Sequence, residues 1–155
     1  MRIDSRVDEI VRSLQISGAP ISCSPNETLV ERLEGACGFR IPKTFASLIS
    51  RYSFPLLEFE GSELFGNNGQ DEYDLATTPY RDKNLSGWLI RNNLFHIGFP
   101  HIGDYDPICL DLFSSPSADA SVVKLNHEDI LLGRDVKTTV LSSSFLAFLG
   151  NQHVA

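Results

Sequence analysis

The order of patterns along this chain predicts a single α+β domain, with a central, mainly antiparallel sheet and helices packed around it. Three observations lead there. Apolar residues recur at helical spacing through the first 52 residues. Period-two alternation takes over from Leu57 to Leu125, and a serine-capped apolar segment closes the chain at Gly150. Helices first, a meander of strands next and a final helix is the signature of that class. The length of 155 residues suits one domain, and a chain that long buries roughly 70% of its unfolded surface. Residues 1–155 are therefore expected to form one unit, with a helical extension over 1–20 and a core over 24–150.

Each element has a local reason. Ile3, Val7, Ile10, Val11 and Leu14 form one helical stripe, and Gly18 and Pro20 end it. The stripe is expected to pack on the domain. Ser24-Pro25-Asn26-Glu27 reads as a capping box opening a second helix, with Leu29, Val30, Leu33 and Cys37 on one face and Gly38 as its left-handed stop. Ile41-Pro42 opens a third helix in which Phe45, Leu48, Ile49 and Tyr52 share a face. Leu57 and Phe59 alternate with Glu58 and Glu60, predicting a half-exposed strand with its acids outward. Gly61, the Gly66–Gly69 run and Thr78-Pro79 mark loops. Residues 82–93 predict a helix with Leu85, Trp88 and Leu89 inward. Leu94–Phe99, Pro107–Phe113 and Ser121–Leu125 predict strands, and in the second Ile108, Leu110 and Leu112 alternate with Cys109, Asp111 and Phe113. Ser142–Ser144 cap a last helix carrying Phe145, Leu146, Phe148 and Leu149, and a frayed tail is expected after Gly150.

Composition narrows the function classes. No segment approaches the ~20 apolar residues of a membrane helix. The charged N-terminus lacks the apolar run of a signal peptide, so a cytoplasmic location is expected. Cys23, Cys37 and Cys109 form no paired framework, which fits a reducing compartment. The formal charge of −7 is segregated. Residues 54–80 hold Glu58, Glu60, Glu63, Asp71, Glu72 and Asp74 without a base, and residues 92–123 hold Asp104, Asp106, Asp111 and Asp119 without one. Those segments carry −10 and the remainder +3. Such a surface repels phosphate backbones and attracts a cationic protein.

The chemistry-bearing motifs are absent: there is no GxSxG elbow, P-loop, GxGxxG fingerprint or HExxH helix. His96, His101, Asp104 and Asp106 could ligate a metal, but turn chemistry at Gly103-Asp104 and capping by Asp106 explain them more simply. Cys109 with His127 and Asp111 could be drawn as a nucleophile, yet no Lys or Arg stands near it in sequence to hold a thiolate. No catalytic residue, metal or cofactor is assigned. Aromatic residues favour contact instead: Phe54, Phe65, Tyr73, Tyr80, Trp88, Phe99 and Tyr105 fall in or beside polar loops. Two or three are expected to be exposed, with Tyr105, between Asp104 and Asp106, foremost.

Four short motifs appear in a familiar order. Leu29–Gly38 followed by Phe39-Arg40-Ile41-Pro42 and a helix to Tyr52 comes first. Gly103-Asp104-Tyr105-Asp106-Pro107-Ile108-Cys109-Leu110-Asp111-Leu112 follows, then Val122–Leu125 running into His127-Glu128, then Ser144-Phe145-Leu146-Ala147-Phe148-Leu149. Over residues 24–150 this order resembles the SUKH superfamily of Smi/Knr-like domains. The usual "nG" turn after the second helix is replaced here by Arg51-Tyr52-Ser53-Phe54-Pro55. The resemblance implies an α+β fold and a non-catalytic protein-binding role. Many bacterial members look like immunity proteins that neutralise a toxin domain, and others act as regulators or scaffolds. Two expectations result. In one, Glu58, Glu60, Glu63, Asp104, Tyr105 and Asp106 form an acidic surface that occludes a basic, nuclease-like toxin. In the other, the chain is a regulatory or scaffold module that binds an endogenous protein, with the first helix docking in a groove.

Overall fold

The first helix spends its apolar stripe inside the molecule. In the computed structural model, which describes residues 2–70, 72–101, 103–113 and 118–155, α1 (Ile3–Ile16) buries Val7, Val11 and Leu14. It lies against α3 (Lys43–Arg51) and α6 (Phe145–Gly150). Polar contacts fix its angle: Asp4 Oδ1 accepts from Ser47 Oγ at 2.6 Å, and Asp8 accepts from both Arg51 and the Tyr52 hydroxyl. Those partners hold the Asp8 carboxyl below its ordinary range, the Tyr52 hydrogen bond contributing most. The apolar stripe of this helix is thus engaged within the domain.

The capping box does not form. Residues 22–26 are held extended: β1 (Ser22–Cys23) pairs antiparallel with β2 (Tyr52–Ser53), and the Asn26 N–H donates to Ser50 O at 2.8 Å. The second helix, α2 (Leu29–Cys37), therefore starts later, after Thr28, and its cap residue makes no side-chain hydrogen bond. Tertiary hydrogen bonds have displaced a local cap worth about 1 kcal/mol. Its end is as expected, at Gly38 with φ of 80°. Pro42 is the residue before α3 rather than its first, and Tyr52 leaves the helix to enter β2.

The main sheet has six strands in chain order, every pair antiparallel: β3 (Leu57–Phe59), β4 (Ser62–Leu64), β5 (Leu94–Phe99), β6 (Ile108–Asp111), β7 (Ser121–Leu125) and β8 (Thr138–Ser142). A 3₁₀ turn (Thr78–Tyr80) and α4 (Lys83–Arg91, capped by Asp82) lie between β4 and β5, and α5 (His127–Leu131, capped by Asn126) follows β7. Of these, β4, β8 and α5 had no counterpart in the sequence reading. The Glu60-Gly61 turn joins β3 to β4, with Gly61 at φ of 87°.

Both faces of the sheet are covered. On one, Phe95, Ile97, Ile108, Leu110 and Val122 meet α1, α2, α3 and α6. There Phe45 sets its ring edge-on to Phe145 at 5.0 Å and to Phe95 at 5.8 Å, each pair adding about 1 kcal/mol beyond area burial. On the other, Leu94, Cys109, Val123 and Leu125 pack beneath Leu85 and Leu89 of α4 and Ile130 of α5. Cys109 is therefore fully buried. At Gly98 the backbones of β4 and β5 approach so closely that a Cβ would sit 1.9 Å from Glu63 O.

The tail is not frayed. Val154 bridges Phe59, the Glu60 N–H donates to His153 O at 2.8 Å, and the Ala155 N–H donates to Glu58 O at 3.2 Å. The C-terminus thus runs along β3 and covers that edge of the sheet.

Candidate protein-binding face

A chain of rings crosses the α4/α5 side of the sheet. Phe99, at the end of β5, meets Phe65 at 5.3 Å, His96 at 4.9 Å and Tyr105 at 6.5 Å, all edge to face. Tyr105 then meets His127 at 5.9 Å. Of the seven loop aromatics singled out from the sequence, Phe54 and Phe65 are core, Tyr73, Tyr80, Trp88 and Phe99 are half-buried, and Tyr105 is 63% exposed. Phe113, placed in a strand by its alternation, is instead 80% exposed beyond β6.

The loop that presents Tyr105 is tied on both sides. The Asp106 N–H donates to Asp104 Oδ1 at 3.0 Å, and the Asp104 N–H donates to His101 O at 3.0 Å. Gly103 at φ of 95° permits that turn. Asp106 Oδ1 accepts from the His127 backbone N–H at 3.0 Å and lies 2.6 Å from His127 Nδ1. Burial raises the Asp106 pKa, but the bonds from His127 outweigh it and hold the carboxyl below its ordinary range. With Asp104 and Asp106 both turned into the loop, the ring between them faces outward.

Beside the rings lies a cavity of about 470 Å³ whose walls include Tyr73, Leu85, His96, Phe99, Tyr105 and His127. Arg81 also lines it, its guanidinium 5.9 Å from the centre of the Tyr73 ring. His96 is almost wholly buried, with Nε2 2.9 Å from Gly98 O. Burial lowers its pKa to about 4, so the ring is neutral at pH 7. A carbonyl only accepts, so Nε2 carries the proton and Nδ1 is a buried acceptor, without a hydrogen-bond partner among the described residues.

The acids reach this face through the sheet register. Glu58 lies directly opposite Glu63 on β3 and β4, and Glu63 lies opposite Phe99 on β5. Residues directly opposite share a face. Glu58, Glu63 and Phe99 thus form a row, and the Phe99 ring leads on to Tyr105. Glu60 is exposed on the hairpin turn next to that row.

Other acids have structural duties. Asp74 is buried and accepts from the Gly69 and Ala76 N–H groups. Asp119 receives the N–H of Phe145 and the Thr44 hydroxyl, both at 2.9 Å, joining α6 to α3. Asp111 stands opposite Leu94 and Ser121 at the far end of β6. Asp71 lies outside the described residues.

The candidate chemical groupings come apart. His101 lies 3.9 Å from Asp104, while His96 is buried and Asp106 is engaged by His127. No group of three or more His, Cys, Asp or Glu residues is arranged to hold a metal among the described residues. Cys109 is opposite His96 and Val123, and its thiol is pushed well up by burial and then by Asp111. His127 is a carboxylate-oriented imidazole, but no hydroxyl or thiol is hydrogen-bonded to it among the described residues, so a nucleophile is missing from that arrangement.

Together these features define an α+β meander domain with one acidic, aromatic-lined face. No model of a known protein family matches the chain, and no curated protein does. Among the described residues, no helix is long and apolar enough to cross a membrane.

Proposed function

We propose that this chain is a non-catalytic protein-binding domain, an immunity-type protein of the SUKH kind that acts in the cytoplasm by covering a basic toxin domain. The observation that carries the reading is the row Glu58–Glu63–Phe99 leading to Tyr105, which sets two carboxylates of the first acidic segment in line with an exposed ring beside a cavity. An aromatic anchor beside a pocket, rimmed by charge, is the arrangement that concentrates binding energy at protein interfaces. The carboxylates steer a cationic partner and speed its association, and a nuclease-like toxin is cationic because it binds phosphate. Glu58 and Glu63 stand directly opposite each other across the hairpin, so one lysine or arginine of the partner can approach both. The order of motifs from residue 24 to 150 supports the family. The scaffold reading drew on α1 as a docking helix, and that stripe is buried.

The test is capture of a partner from the source lysate, its identification, and association kinetics with the purified pair. A basic toxin domain is expected. Its association should slow at least tenfold in the Glu58→Lys, Glu63→Lys double variant and with rising salt, and Tyr105→Ala should weaken the complex about 30-fold or more, corresponding to ~2 kcal/mol. A partner indifferent to both changes would sink the proposal.

A further inference from the structure

The wall of the 470 Å³ cavity carries a charge that the fold leaves unneutralised. Asp82 caps α4 through Oδ1, which accepts the Asn84 and Leu85 N–H groups at 3.0 and 3.1 Å. Its carboxylate forms no ion pair among the described residues. The neighbouring Arg81 is turned elsewhere: it donates to Glu72 O, and its guanidinium lies over the Tyr73 ring. His127, also in the wall, is backed by the Asp106 carboxylate at 2.6 Å. Phe99 and Tyr105 line the same space and meet edge to face, their planes 85° apart. Rings set edge-on do not stack, so π faces stay available to a cation.

Resting on the reading of this face as the one that meets a basic protein, we propose that the cavity takes an arginine side chain of that partner, its guanidinium against Phe99 and Tyr105 and paired with Asp82. Charge selects the occupant. An apolar side chain filling the cavity would shut the Asp82 carboxylate away from water without a counter-charge, which is costly. An anionic one would meet that carboxylate and the one behind His127. A lysine carries the right charge, but its compact ammonium holds its water strongly and has no flat face to lay on a ring. The planar guanidinium stacks on aromatic faces and matches a carboxylate with two parallel N–H groups.

The surroundings fit the same occupant. Tyr105 and Leu131, 63% and 51% exposed, belong to the cavity wall and also reach solvent, so a side chain from another molecule can approach them. Leu131 offers apolar ground for the methylene stem of an arginine, which buries readily while its head stays polar. The cavity is continuous with the acidic row, because Phe99 is both the register partner of Glu63 and a wall residue. A basic partner steered to Glu58 and Glu63 thus arrives beside the place where one of its cations would anchor.

Titration of the full chain with N-acetylarginine amide, followed by backbone amide NMR at matched ionic strength, tests the site without the partner. Saturable shifts are expected at Asp82, Phe99, Tyr105 and His127, with a dissociation constant of about 10 mM, the strength of a few weak charge and ring contacts. The uncharged N-acetylnorleucine amide is expected to give none. Asp82→Asn keeps a capping side chain and removes the charge, and Tyr105→Ala removes a ring; each should weaken the probe about fivefold. Glu58→Gln, outside the cavity, should change probe binding by less than about twofold, because salt screens the more distant exposed charge. No saturation up to about 100 mM probe, equal shifts from the norleucine compound, or indifference to Asp82→Asn overturns the arginine site. The acidic row is judged separately, by the association kinetics of the Glu58→Lys, Glu63→Lys variant. A captured basic partner is expected to displace the probe. One that binds without displacing it also overturns the inference and leaves the cavity to a free organic cation.

Discussion

His127 and Asp106, separated by 21 residues, are joined twice through one oxygen: Asp106 Oδ1 lies 2.6 Å from the imidazole Nδ1 and accepts the His127 backbone N–H at 3.0 Å. The contact fastens the loop between β5 and β6 to the start of α5. It thereby fixes Tyr105, whose ring stands between Phe99 and His127. It also sets a carboxylate from a distant loop at the N-terminus of α5, beside the Asn126 cap.

Replacing that carboxylate by an amide should release the loop. Asp106→Asn is expected to lower stability at pH 7 by about 1.5–3 kcal/mol, the range for hydrogen bonds to a charged group. The native carboxyl is held below its unfolded value, so its contribution is complete above the unfolded pKa of about 3.9 and is lost as pH falls through the lowered one. Urea unfolding of both proteins between pH 7 and 3 should therefore show their stabilities converging on the acid side. Parallel curves would contradict the assignment.

His96 acts at a higher pH. In the unfolded chain its imidazole takes a proton near pH 6.5, whereas the buried ring refuses one until about pH 4. Between those values the unfolded state binds more protons, so stability falls as pH falls, by roughly 3 kcal/mol over the window. His96→Phe keeps an aromatic ring against Phe65 and Phe99 and removes the titration. Its unfolding free energy is expected to change far less between pH 6.5 and 4 than that of the natural protein.

Gly98 is a point of backbone contact. Gly98→Ala would set a methyl 1.9 Å from Glu63 O, a separation no rotamer can relieve. Strands β4 and β5 would have to part, breaking the row that carries Glu63 and Phe99. A loss of about 3 kcal/mol or more is expected in urea unfolding, in the tail reserved for strained or disrupted cores. Gly87→Ala, whose new methyl meets only the flexible end of Arg91, should be neutral or slightly stabilising as a control.

Removing Gln152–Ala155 uncovers β3. The deletion forfeits two backbone hydrogen bonds to β3 and the 2.7 Å bond between Ser62 Oγ and Gln152 Oε1. A loss of about 1–3 kcal/mol is expected, together with concentration-dependent aggregation through the freed edge. Light scattering at matched fractions folded separates the two effects.

Much of this architecture was legible locally. The first helix, the left-handed stop at Gly38, strands Leu94–Phe99 and Ser121–Leu125 and the Ser144 cap came out at their places, because each is decided by periodicity or capping within about ten residues. The Ser24 cap failed because residues 22–26 have better partners in β2 and at the end of α3, some 30 residues on. Strand β4 follows β3 after a two-residue turn with a single large apolar residue, Leu64, and β8 is exposed along nearly its whole length, so no apolar rhythm marks either.

What the chain's sequence determined by itself is the α+β class, the antiparallel character of its sheet and the segregation of its acids into two segments. Those properties are sums of local preferences and need no knowledge of what touches what. Tertiary structure alone decided which acids hold backbone N–H groups, that Cys109 is sealed between two layers, that the tail guards one edge and that His127 anchors Asp106. Each is a contact between residues distant along the chain. Its free energy depends on the close packing and low polarity of the interior, and these exist only once the sheet and both helical layers have closed.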